Sequence, residues 1–136
     1  MAGKTELIQL LNEMEPVLHL GEYVFVSTND SVALDSKEII ASFKEEEGTT
    51  FILEKEKADA LQLDYDYVAS WITLNVHSSL EAVGLTAAVS TALAQEGISC
   101  NVVAAYYHDH IFVAQPEAKA AMQALTHLMN TKREKT

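Results

Sequence analysis

"VHSSLEAVGLTAAVSTALAQEGISCNVVAAYYHDHIFV", residues 76 to 113, decides the fold. Its middle carries Leu85, Ala88, Val89, Ala92 and Leu93. Apolar residues at i, i+3, i+4, i+7 and i+8 make the stripe of a helix that lies on one surface. Gly97 follows the stripe, where a residue without a Cβ most easily takes the left-handed turn that ends a helix. Beyond it, "ISCNVVAAYY" (98–107) and "IFVAQ" (111–115) are rich in β-branched and aromatic residues. They read as two strands joined across His108, Asp109 and His110.

Downstream, Pro116 suits the first turn of a second helix. Ala118, Ala121, Met122, Leu125, Leu128 and Met129 form its buried stripe. Upstream, "YDYVASWITLNVH" (65–77) has no breaker and is long for a strand. A strand of that length can end one unit and begin the next. From residue 65 the order is β-α-β-β-α, most of a ferredoxin-like split βαβ unit with an antiparallel sheet and helices on one face.

The first half repeats this plan in shortened form. "TELIQLLNEMEP" (5–16) reads as a helix capped by Thr5 and stopped at Pro16, with Leu7, Leu10, Leu11 and Met14 on one stripe. "EYVFVS" (22–27) is a strand, and "EIIASFKEEEGTTFILEKE" (38–56) is a hairpin turning at Gly48. Glu45–Glu47 read as its solvated tip rather than a cation site, since the spaced oxygen ligands of a calcium loop are lacking. "KADALQL" is a short helical turn, and the helix after the first strand shrinks to "NDSVALDSKE" (29–38). The expected fold class is α+β: two ferredoxin-like units in tandem, residues 1–64 and 65–136.

Twenty Asp and Glu stand against nine Lys and Arg, a formal net charge of −11 over 136 residues. Nucleic-acid binding rests on basic side chains that neutralise phosphates, so DNA or RNA is not an expected partner. Anionic membrane is disfavoured for the same reason. No signal peptide or membrane span is expected, because polar residues interrupt every apolar run. The single Cys100 has no partner for an internal disulfide and reads as a strand thiol. A reducing cytoplasm is the expected setting.

The stretch 76–113 resembles an ACT domain. That family opens with a strand, then a loop ending in glycine, then a helix starting at that glycine. A second glycine ends the helix, followed by Ile and a strand with an early Asn. Gly84, Leu85 and Ala87–Val89 match the first part; Gly97, Ile98 and Asn101 match the second. "HSSLEAVGLTA" and "YYHDHIFV" are similar to a small bacterial group built of two fused ACT-like units. This chain departs from the pattern in a longer loop before Gly84 and in showing no last strand after the second helix. The resemblance implies a non-catalytic regulatory module that binds a small effector, typically an amino acid. It also implies a homo-oligomer, most simply a dimer, with no cofactor. The ligand-binding residues it implies are His77, Ser78, Ser79, Val83, Gly84, Leu85 and Asn101.

Physical chemistry allows such a seat. A helix that starts directly at a turn leaves free backbone N–H groups, and its dipole favours a carboxylate. At Gly84 the missing Cβ lets another group approach closely. Ser78 and Ser79 can donate hydroxyls, and His77 a ring nitrogen. The alternative reading of these residues is plain capping and turning of the chain.

His108, Asp109 and His110 form a possible polar site with two readings. On a strand, i and i+2 share a face, which is acceptable metal-ligand spacing, and a small metal-dependent enzyme is the alternative function. A third ligand would have to come from elsewhere; His77 and His127 qualify by type. The bland reading is a polar hairpin turn, and no metal is expected. A ligand-free oligomerisation module is a third function. There is no Gly-x-Ser-x-Gly elbow and no phosphate-cradling glycine loop. Trp71, the single tryptophan, is expected in the core, and Tyr106 and Tyr107 on opposite faces.

Overall fold

A computed structural model describes residues 2–29, 34–76 and 84–134. The elements in chain order are α1 (Ala2–Glu13), β1 (Glu15–Leu18), β2 (Tyr23–Thr28), β3 (Ile39–Lys44), β4 (Thr49–Glu54), α2 (Lys55–Ala60) and β5 (Val68–Asn75). They continue with α3 (Leu85–Gln95), β6 (Asn101–Ala104), β7 (Asp109–Ala114) and α4 (Ala118–Glu134). The fold is α+β, and two compact units divide it: Met1–His19 with Trp71–Thr136, and Leu20–Ser70. The division at 64/65 read from the sequence follows element order along the chain; this one follows contacts.

In the discontinuous unit the strands lie in the order β1–β5–β7–β6. That is the ferredoxin-like order, with β1 in the place of the fourth strand. Glu15–Leu18 pair antiparallel with Asn75–Ile72. The last strand missing after α4 therefore comes from the start of the chain. The sequence hides it, because Pro16 reads as a helix stop. Pro16 is nevertheless tolerated in a strand at the edge of the unit's sheet. Thr5 lies inside α1 rather than capping it, because the helix already runs from Ala2.

The core of this unit lies between sheet and helices. Leu11 of α1, Met14 just after it, Leu85, Val89 and Leu93 of α3, and Ala121 and Leu125 of α4 meet Ile72, Leu74, Ile111 and Val113. Alternation along β5 and β7 then sends Trp71, Thr73, His110 and Phe112 to the opposite face. Helix α3 ends as its sequence predicts. Gly97 has φ +74°, its N–H donates to the Ala94 carbonyl and the Ile98 N–H to the Leu93 carbonyl. This is the paired closure of a Schellman motif.

The other unit has the order β3–β4–β2 followed by the start of β5. Tyr23–Thr28 pair with Glu54–Thr49, and Tyr23 and Val24 pair with Ala69 and Val68. Val24, Val26, Leu53 and Ala58 form its small core. The hairpin turns at Gly48 (φ +152°), with Glu45 and Gly48 exchanging backbone bonds and Glu45–Glu47 exposed. Among the described residues between β2 and β3, Asp35 caps a 3-10 turn over Ser36–Glu38.

Candidate functional site

Helix α3 begins where its glycine allows. Gly84 is the N-cap residue at φ +100° and ψ −22°, and as a glycine it has no side chain of its own to cap the helix. Its carbonyl accepts the Ala88 N–H at 2.9 Å, which leaves the N–H groups of the first turn outside the helical ladder. What approaches Gly84 closely is Leu7 of α1, whose Cδ2 would lie 3.1 Å from a Cβ at that position. Leu85 is 2% exposed and its side chain is part of the core, so it has only its backbone N–H to offer a ligand. Asn101 is exposed at the start of β6, and its amide Nδ2 donates to the Phe112 carbonyl at 3.4 Å. His77, Ser78, Ser79 and Val83 lie outside the described residues.

The histidine segment is placed differently from its sequence reading. The hairpin turns at Ala105–His108, closed by the Ala105 N–H on the His108 carbonyl at 3.0 Å. Tyr106 and Tyr107 form the tip, and both are exposed, at 77% and 65%, in edge-to-face contact at 4.9 Å. They do not divide between two faces, because they sit in the turn and not on a strand. Asp109 and His110 already belong to β7. Asp109 shares the parity of Ile111 and faces away from His110.

His110 joins a set that the sequence did not assemble. Trp71 Nε1 donates to His110 Nδ1 at 3.1 Å. Thr73 Oγ1 lies 3.0 Å from the same nitrogen and 2.7 Å from His19 Nε2. The His19 ring stacks on Trp71 with centroids 3.6 Å apart and 13° between planes. Phe112 lies beyond the indole, its ring centre 6.2 Å away. Trp71 is thus half-buried on the face opposite the helices, not in their core, because it alternates with Ile72. Alternation at 71/73 and 110/112 was the available signal; nothing local points to His19, 52 positions from Trp71.

Burial holds the His19 imidazole below its ordinary pKa. Burial is also the largest influence on His110, followed by the nearby His108 and His19, and all three lower it; Asp109 pulls the other way. Burial raises the Cys100 thiol, which packs half-buried against the core. Among the described residues no group of three or more His, Cys, Asp or Glu side chains could hold a metal ion. His110 Nδ1 is engaged by Trp71 and Thr73, and Asp109 faces away from His110 on β7. Among the described residues no helix is long and apolar enough to cross a membrane.

Comparison with known proteins bears on the whole chain. Two models, each describing an ACT domain, match residues 2–70 and 67–127. A protein of unknown function from Vibrio cholerae, described as a possible transport protein, is 49% identical. The match covers 93% of this chain and 98% of that one, with a TM-score of 0.81. A protein from Agrobacterium tumefaciens is 14% identical over 85% of this chain and 89% of its own, with a TM-score of 0.68. The ligand-free regulatory subunit of aspartate kinase from Thermus thermophilus shares the fold at 12% identity. There the coverage is 83% of this chain and 95% of that one, with a TM-score of 0.58. No curated protein matches.

Proposed function

Because the chain belongs to the ACT-domain family, we propose that it is a non-catalytic regulatory module whose small-molecule ligand is an amino acid. The observation that carries the placement is the start of α3, where the cap residue is a glycine with no side chain to occupy the free N–H groups. An amino-acid carboxylate is the natural acceptor for them. The backbone N–H of Leu85, the hydroxyls of Ser78 and Ser79, His77 and Val83 complete the seat, and Asn101, which follows the far end of α3, reaches it from a second copy of the chain. Residues 1–64 and 65–136 act as the two family units. The molecule works in the cytoplasm as a homodimer, with strand edges such as β6 available for pairing between copies.

Amide NMR of the full chain tests the placement directly. Titration with the common amino acids, grouped by side-chain class, is expected to move the resonances of Leu85, Thr86 and Ala87 first. Ser78→Ala with Ser79→Ala should weaken that response. A ligand that shifts other amides and leaves these three unchanged would overturn the site.

A further inference from the structure

The hydrogen-bond set around His110 has a direction. An indole nitrogen donates and never accepts. His110 Nδ1, which receives the Trp71 N–H, therefore carries a lone pair, and the neutral ring holds its proton on Nε2. The bond between Thr73 and that nitrogen must then run from the hydroxyl to the ring. With the Thr73 hydrogen on that nitrogen, the Thr73 oxygen is open to accept from His19 Nε2–H, 2.7 Å away.

We propose that these residues form a proton-operated latch on the end of β1: a proton on His110 displaces the Trp71 indole and releases His19 from β5. The proton comes from solvent and binds Nδ1, since Nε2 already bears one. Two N–H groups then face each other, and the indole loses its acceptor. Thr73 can accept from the charged ring only by turning its hydrogen off that nitrogen, which resets its bond with His19 Nε2, and the displaced indole is the ring on which His19 stacks. The conflict thus reaches His19, the residue stacked on Trp71. The His19 backbone N–H also donates to the Trp71 carbonyl at 2.9 Å. His19 ends the first segment of its unit and Trp71 begins the second, so the latch ties the two where the chain leaves and returns.

Every described element beside the latch contributes to its setting. In the turn before β7, His108 opposes a second positive charge, and Asp109, the first residue of β7, favours it. At the end of β1 stands His19; Glu15 shares that face beyond Val17, by the alternation of the strand. Opposite His110 on β6 is Val103, which is uncharged. From β5 come Trp71 and Thr73, neither of which charges. The latch does not depend on the ligand reading.

NMR of the full chain tests it, because one tryptophan gives one indole N–H resonance. As pH is lowered, the His110 ring is expected to titrate below the ordinary imidazole value. The indole resonance should move with the same midpoint, and the His19 amide should begin to exchange faster. In Trp71→Phe the His110 midpoint should shift upward. If that variant does not fold, Thr73→Val should shift it in the same sense. An indole resonance that stays still while His110 titrates, or an ordinary His110 midpoint, overturns the latch.

Discussion

Gly84 serves backbone and packing together. Its φ of +100° is a conformation that residues with a Cβ adopt at a cost, and Leu7 leaves only 3.1 Å for one. Gly84→Ala is expected to destabilise the chain by about 1–2 kcal/mol from the backbone alone. Urea unfolding monitored by circular dichroism measures this, and ligand-site variants are better made at Ser78 and Ser79. The imidazoles set a second expectation. Folded His19 and His110 resist a proton that both accept at about pH 6.5 once unfolded. The unfolded chain then binds more protons below that pH, so stability falls as pH drops and is untouched above it. Urea midpoints should be flat from about pH 8 to 7 and decline from about 6.5 toward 5. His110→Gln should make that decline shallower; an unchanged slope would assign it to other groups. Single residues were the least legible scale. Alternation could place Trp71 and His110 on strands, but not show that remote strands bring them together.

At the scale of elements, periodicity carried most of the reading. The stripes of α3 and α4 and both glycine-marked turns, at Gly48 and Gly97, are where side-chain spacing and backbone chemistry agree. Two elements were misread for physical reasons. β1 has four residues and contains a proline, so its strand character exists only through pairing with β5. The β6–β7 turn contains two tyrosines, whose β propensity suggested continued strand where the chain in fact reverses. β1 gives α1 its importance, since the two enter the same unit together. Leu11, fully buried in that core, is the direct probe. Leu11→Ala should cost about 2–5 kcal/mol in chemical denaturation. A loss below about 1 kcal/mol would mean that α1 packs only loosely, against the usual cost of such a cavity.

For the whole molecule, element order was enough to give the α+β class and the ferredoxin-like units. It could not give the exchange by which the first segment of the chain completes the second unit. Strand order in space is a tertiary fact, and a sequence states only order along the chain. Function is less legible still, since a shared fold fixes a frame and ligands are chosen by sites. Four residues of the expected seat, His77, Ser78, Ser79 and Val83, precede Gly84 outside the described residues. Whether the chain is a receptor for an amino acid is decided by thermal unfolding of the purified chain against each common amino acid. A ligand present at about a hundred times its dissociation constant stabilises the folded state by about 2.7 kcal/mol. A rise in the unfolding midpoint is expected with one amino acid or a few chemically related ones, reduced by Ser78→Ala with Ser79→Ala. An unmoved midpoint across all of them at millimolar concentration would contradict it.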